Sequence, residues 1–380
     1  MTRTVPGRCT MQTQAAVLWK PGAQWEIEDV ELDPPKQSEV LVRLEASGLC
    51  HSDEHFLTGD MPFMGSMIGG HEGAGVVEEI GPGVTSLAPG DHVVTSFLPP
   101  CGHCPSCVQG HQSLCDMGMH IADGWQVGAK TARHHARGED LRLFCMLGTF
   151  ARHTISHERS FIRIDPDIPL DRACLVACGV STGWGSAVHR ARVQSGDDVV
   201  VIGAGGVGSA AVQGARLAGA RRIFAIDPVE FKREQALRFG ATHVVATIEE
   251  AFPLIREVTW GSMCKRVICT MSVGRGDLVA SIMALASKRG RVVVTNVHPW
   301  TETDVKLSML DLLVMEKELV GSIFGSSNPE MDVPMLLGLY GDGLLDLDAM
   351  VTRTYRLDDI NEGFQDMRDG KNIRGVLALG

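Results

Sequence analysis

The sequence predicts two domains, an antiparallel barrel-like β domain and, after it, a doubly wound α/β domain with a parallel sheet. Three observations carry this. The chain has 380 residues, more than one hydrophobic core usually spans. From about residue 14 to 95, short apolar runs are broken by Gly, Pro and Asp, a pattern of short strands. Beyond about residue 180, strand-like runs alternate with helix-like stretches, which implies parallel βαβ units.

In the first region QAAVLW, EVLVRLEASG, GAGVVEEIG and GDHVVTSF read as strands. In the second, DDVVVIGAGGVG, RIFAIDP, THVVAT, KRVICT, GRVVVTN and LVGSI read as strands, with VGSAAVQGARLAGA and KREQALRFGA as helices between them. The tail carries β material, MVTRTYRL, and a helix around INEGFQDMRDG, which predicts a return to the first domain. The expected division is 1–179, 180–321 and 322–380.

Apolar residues make up 44 % and charged residues 21 %, an ordinary globular composition. No apolar run is long enough to cross a bilayer. The N-terminal stretch lacks the apolar core and cleavage site of a signal peptide, so a cytoplasmic location is expected; Met11, just ahead of the first strand, is an alternative start. A net charge of −11 without a dense Lys/Arg patch argues against nucleic acid and anionic membrane as partners. Eleven cysteines, an odd number, argue against a disulfide framework. Cys9, Cys145, Cys174, Cys264 and Cys269 are scattered and read as small core residues.

Gly203-Ala204-Gly205-Gly206-Val207-Gly208 follows the strand DVVVI and opens an Ala-rich helix, the context that a G-x-G-x-x-G dinucleotide fingerprint needs. In this Rossmann arrangement Gly203 permits the tight turn, Gly205 admits the pyrophosphate, and Gly208 lets the helix lie close to the sheet. The helix N-terminus offers free N–H groups to the phosphates. Asp227 ends the next strand, where a carboxylate binds the adenosine ribose hydroxyls and repels a 2′-phosphate. NAD is therefore expected over NADP, although Lys232 and Arg233 nearby soften the preference.

Cys101, Cys104, Cys107 and Cys115 lie in one loop. Four thiolates so spaced close a tetrahedron around Zn²⁺ with no position open to substrate, the pattern of a structural site. A second constellation is dispersed over GLCHSDEH, GGHEGAG and VACGVSTGWG. From these, Cys50, His71 and Cys178 would supply a Cys₂His set that leaves a fourth position open. Spacing alone does not bring those three together.

These motifs, with CGVSTGWG and the closing GKNIRGVL in order, resemble the zinc-dependent medium-chain alcohol dehydrogenases over nearly the whole chain. The resemblance implies a GroES-like catalytic domain and a Rossmann domain with the active site between them. It implies one catalytic zinc on Cys50, His71 and Cys178, and one structural zinc on Cys101, Cys104, Cys107 and Cys115. Asp53 would orient the ligand His71, and Glu72 would lie behind the metal. Ser52 and His55 would form a proton relay through the nicotinamide ribose. Thr182 would touch the coenzyme, Arg374 would bind its phosphates, and Phe97 and Phe324 would line the pocket and the coenzyme cleft; Lys232, from its place just after Asp227, is a further candidate coenzyme contact. His51 stands where many relatives carry a phosphate-binding Arg, which implies a weaker or pH-dependent contact. Met61, Phe63, Met64, Trp125 and Trp300 suggest an apolar pocket, with core packing an equal explanation for the Met and Trp residues. A homo-oligomer is expected.

DPVEFKREQALRFGATH, MEKELVGSIFGSSNP and DGKNIRGV resemble, more narrowly, actinobacterial alcohol dehydrogenases that use N,N-dimethyl-4-nitrosoaniline as acceptor and are linked to mycofactocin. This implies tightly held NAD and an external redox acceptor, with Ser326, Ser327 and Asn328 as sources of extra hydrogen bonds to the nucleotide. Two rivals stand beside this reading. One is glutathione-dependent formaldehyde dehydrogenase, which carries Arg at the place of Met119 and Tyr at that of His55. The other is a non-catalytic protein on the same scaffold.

Overall fold

The computed structural model describes residues 10–127 and 130–380; the side chains of Met119 and Ala122, and all of Cys9, lie outside that description. Three sheets organise the chain. In the first, Met11–Leu18 pairs antiparallel with Glu26–Leu32, Ala15 facing Glu28. Burial along Glu26–Leu32 is uneven, with Val30 and Leu32 inward and Glu31 outward, as in a sheet with one wet face.

The second sheet is built on Glu39–Gly48, which pairs antiparallel with Glu72–Ile80, His153–His157 and Arg374–Ala378. EVLVRLEASG is buried along most of its length, because it lies between neighbours on both edges and under packed side chains. The C-terminal strand lies beside Gly48, through the pair Val376–Gly48. This return of the chain brings Arg374 to the segment that carries Cys50.

The third sheet is all parallel. Its strands, His243–Val245, Arg222–Ile226, Asp198–Ile202, Cys264–Cys269, Ala286–Val294 and Glu318–Gly321, lie side by side in that spatial order. Numbered along the chain this is 3-2-1-4-5-6, the doubly wound dinucleotide order. DVVVI is buried at every position, since helices cover both faces of a parallel sheet. The helices predicted from VGSAAVQGARLAGA and KREQALRFGA run over Gly206–Leu217 and Glu230–Phe239. Among the described residues, no helix is long and apolar enough to cross a membrane. Cys145, Cys174, Cys264 and Cys269 are buried free thiols.

Candidate active site

The loop cluster is compact. The sulfurs of Cys101, Cys104, Cys107 and Cys115 lie within 4.8 Å of one another, with Cys101–Cys107 at 4.0 Å and Cys104–Cys115 at 3.9 Å. Four thiolates about 2.3 Å from one Zn²⁺ have tetrahedral edges of about 3.8 Å, so the donors fit the ion. The Cys101 N–H donates to Cys115 Sγ at 3.2 Å, and the Cys104 N–H donates to Cys101 Sγ at 3.3 Å. These bonds hold the two sulfurs in place. Pro105 opens the short helix Pro105–Val108, where its missing N–H costs nothing.

The dispersed donors also converge. Cys50, His71, Glu72 and Cys178 are all buried, with ligand atoms within 4.8 Å of one another. Cys50 precedes the helix His51–Thr58, and Cys178 precedes Gly179–Gly185. His71 leads into the strand Glu72–Ile80. Asp53 Oδ2 is 3.3 Å from His71 Nδ1, while Asp53 Oδ1 accepts from the Gly70 N–H at 2.7 Å. The ring is thus held from behind, with its other nitrogen left for a ligand bond.

The electrostatics match a cation. Burial opposes charge on His71, yet Asp53, Cys178 and Cys50 hold its pKa well above the usual value. A hydrogen bond shared with Cys178 holds Cys50 well below the ordinary thiol range. Two sulfurs, an imidazole and a neighbouring carboxylate with excess negative potential form a donor set suited to Zn²⁺.

Glu72 is pushed up to about 7 by burial, against the pull of Arg374. Its Oε1 accepts from the Gly179 N–H at 3.1 Å and its Oε2 from Arg374 Nη2. Arg374 also lies against the start of the dinucleotide helix: a Cβ on Gly206 would meet its Cδ at 2.2 Å. Its Nε is buried with no hydrogen-bond partner among the described residues. The guanidinium therefore spans the metal cluster and the phosphate end of the helix.

A cleft of about 1010 Å³ joins the cluster to the carboxyl ends of the parallel strands, where doubly wound sheets bind ligands. Gly203 has φ +94°, and a Cβ on Gly208 would lie 1.8 Å from the Gly203 carbonyl oxygen. A Cβ on Gly205 would meet nothing within 4 Å, so backbone there faces the open cleft. Asp227 accepts from the Ala204 N–H at 2.8 Å and the Val229 N–H at 2.9 Å. These bonds fix its carboxylate at the cleft wall, which Lys232 and Val207 also line. Thr182 lines the cleft, its Oγ1 3.8 Å from Cys178 Sγ. His51 lines it too, and burial lowers its pKa to about 4. The ring is neutral near pH 7 and does not replace an arginine's charge.

Ser52 Oγ lies 3.5 Å from Cys50 Sγ. His55 is buried, and its Nδ1 lies 3.1 Å from Asp60 Oδ2, a partner that the sequence pattern did not single out. Aromatic rings close the space above the cluster: Phe144 and Phe97 lie edge-on to His71 at 5.1 and 5.6 Å, and Phe324 packs on Phe97 at 4.7 Å. Phe56, Phe144 and Ile121 were missed from sequence, because only the fold directs them inward. Met61 and Met64 line the cleft. Phe63 packs into the catalytic-domain core instead. Trp125 stacks under the Arg142 guanidinium at 4.3 Å, and Trp300 is 63 % exposed; neither lines the cleft.

Ser326, Ser327 and Asn328 are also placed differently from expectation. The cleft wall runs through Ser322, Ile323 and Phe324. Positive φ angles of 53°, 66° and 56° at Phe324, Gly325 and Ser326 then turn the chain away. Ser327 Oγ donates to the Ser181 carbonyl at 3.2 Å, and the Asn328 N–H donates to Asp332 at 2.8 Å. Asn296 and Ser322 line the cleft, and Ser322 Oγ and both amide atoms of Asn296 are buried with no partner among the described residues.

Fold and site together define a zinc-type oxidoreductase with a dinucleotide cleft, and comparison with known proteins agrees. Residues 36–166 match the alcohol dehydrogenase GroES-like domain, and residues 206–339 match the zinc-binding dehydrogenase domain. The chain belongs to the zinc-dependent alcohol dehydrogenase family. It is 48 % identical to alcohol dehydrogenase B of Mycobacterium tuberculosis, covering 97 % of this chain and 98 % of that one. It is 46 % identical to the NDMA-dependent alcohol dehydrogenase of Amycolatopsis methanolica, covering 97 % and 99 %. The fold matches benzyl alcohol dehydrogenase from Acinetobacter calcoaceticus with a TM-score of 0.88 at 29 % identity, over 97 % and 100 % of the two chains. Its activity is oxidoreduction between an alcohol and the corresponding aldehyde or ketone.

Proposed function

We propose that this chain oxidises an apolar or aromatic alcohol with a tightly held NAD, which an external acceptor re-oxidises. The observation that carries the reading is the convergence of Cys50, His71 and Cys178 at the floor of the dinucleotide cleft. Zinc on these three ligands supplies Lewis acidity toward the alcohol oxygen, and NAD supplies the hydride acceptor. Ser52 takes up the hydroxyl proton beside the cluster, and His55 passes it on. Asp53 holds His71 in the ligating tautomer. The rings of Phe97, Phe144 and Phe324 exclude water and favour a flat or aliphatic substrate, in keeping with the name of the benzyl alcohol relative.

A second zinc on Cys101, Cys104, Cys107 and Cys115 holds its loop. Asp227 selects NAD over NADP. Arg374 Nε, Asn296 and Ser322 are buried polar groups without partners among the described residues. Each such group costs about 1–3 kcal/mol when left unpaired, so a nucleotide that satisfies them is released slowly. Residues 1–179 and 322–380 form the catalytic domain, and 180–321 the coenzyme domain. The exposed side chains of Met309, Leu310, Leu313 and Val314 lie near the sheet-edge strand Glu318–Gly321, a surface suited to a second copy of the chain. The free thiols suit the reducing cytoplasm.

The test is to dialyse the purified protein extensively, denature it and identify the released nucleotide. Near-stoichiometric NAD(H), two zinc ions per chain, and alcohol turnover with the nitroso acceptor are expected. Nucleotide-free protein that turns over steadily with added NAD would replace the tight-binding reading with a dissociable coenzyme. Released NADP would overturn the reading of Asp227.

A further inference from the structure

His55 is 2 % exposed, in the last turn of the helix His51–Thr58. The helix ends at Gly59, whose φ of +82° lies in the left-handed region that a residue without Cβ enters at least cost. The chain then folds back, and the Met61 N–H donates to the His55 carbonyl at 3.1 Å. This reversal sets residue 60 against the His55 ring.

Asp60 is fixed from three sides. Its Oδ2 lies 3.1 Å from His55 Nδ1 and accepts from Thr58 Oγ1 at 2.6 Å. Its main-chain carbonyl accepts from the Trp300 N–H at 3.2 Å, across from the coenzyme domain. The bonds from Thr58 and His55 hold the Asp60 carboxyl below its usual range. An ionised carboxylate only accepts, so the Nδ1 of the neutral ring carries the proton and Nε2 offers a lone pair. His51, on the same helix, is a second titratable group that interacts with His55.

Resting on the relay reading above, we propose that Asp60 is the positioning residue of the proton relay: it locks the buried His55 ring in its Nδ1–H tautomer, with Nε2 free to take the proton. When the relay hydroxyl loses its proton, an O–H bond breaks and an Nε2–H bond forms. The ring becomes a cation paired with the Asp60 carboxylate, and it later returns the Nε2 proton to water. No oxidant or reductant is involved. A residue that merely stops the helix would not set the tautomer.

The experiment uses the zinc-loaded enzyme with its nucleotide, labelled with ¹⁵N-histidine; the His55 signals are assigned by their loss in His55→Gln. The expected result is an Nδ1–H tautomer in the wild type and a tautomer mixture in Asp60→Asn. In Asp60→Asn, kcat should fall by roughly tenfold with little change in KM, a part of the 10²–10⁴ that such proton transfer contributes. Added imidazole should restore most of that loss, and Asp60→Glu should recover part of it. A wild-type Nε2–H tautomer overturns the proposal even if the variant does not fold. An unchanged tautomer in Asp60→Asn, or a kcat loss that imidazole does not touch, overturns it as well. If His55→Gln turns over normally, the relay reading fails, while the tautomer measurement still decides whether Asp60 holds the ring.

Discussion

The two cysteine-rich clusters are built in opposite ways. Cys101, Cys104, Cys107 and Cys115 come from a single loop whose bends are set by Gly102, Pro105 and Gly110. Cys50, His71 and Cys178 come from three segments, which meet only after the second sheet has formed and the helix Gly179–Gly185 has packed against it. In the loop cluster the four donors are all thiols, and main-chain N–H groups brace two of them. In the dispersed cluster, Ser52, aromatic rings and an open cleft surround the donors. A site made of local donors serves its own loop, whereas one assembled by the whole fold stands open to a ligand. Removing a ligand should therefore have different consequences in the two places.

The largest expected effect is on turnover. His71→Ala or Cys178→Ser should lower kcat by about three orders of magnitude, because Lewis-acid stabilisation contributes several kcal/mol, at tenfold per 1.36 kcal/mol. Zinc content should drop by one ion per chain, with little change in thermal unfolding. Near-normal kcat in such a variant would erase the contrast between the clusters.

Cys104→Ser should do the reverse. Metal binding contributes folding free energy, so unfolding should become easier by on the order of a few kcal/mol, with one zinc lost and kcat per folded molecule largely kept. Denaturant titration with metal analysis checks this, and an unchanged midpoint at full zinc content would contradict it. Asp53→Asn tests the support of the open site. It should weaken metal retention there by about 10–100-fold, read by competition with a chelator, while the loop zinc stays bound.

The smallest effect lies away from both clusters and serves as a control. His189 Nε2 is 3.1 Å from the buried Asp332, which also accepts from the Asn328 N–H. The hydrogen bond from this pair raises the His189 pKa above its usual value, against the effect of burial. A raised folded pKa gives stability that is present below about pH 6.5, the unfolded value, and lost as pH rises through the folded one. Melting temperatures of the wild type and His189→Gln should therefore differ most at mildly acidic pH and converge in alkali. A constant difference across that range would remove the ion pair from the account.

How much of this was legible follows the same contrast. The loop cluster could be read from spacing, and the dinucleotide turn from glycines after an apolar strand, since both depend on neighbours in sequence. The dispersed ligands could be named as a Cys₂His set and matched to the family, but spacing alone could not bring them together. Asp60 was not seen because its contact with His55 requires the left-handed turn at Gly59. Asn296 and Ser322 were missed because they follow strands that become neighbours only in the finished sheet. Ser326, Ser327 and Asn328 were misplaced because three successive positive φ angles swing that segment out of the cleft wall. Trp300 looked like a pocket residue, yet it contributes its main-chain N–H to Asp60 and leaves its ring in solvent.

The sequence by itself determined the two kinds of domain, the Rossmann turn and the four-thiol loop, because each rests on short-range geometry: a strand period, a Gly-permitted turn, a fixed ligand spacing. Only the tertiary structure decided which buried groups face one another across the cleft. Those contacts join residues hundreds of positions apart, as between Glu72 and Arg374; they are set by sheet order and by the strand and register at which the C-terminal segment pairs, and the sequence pattern pointed to the return without giving its partner.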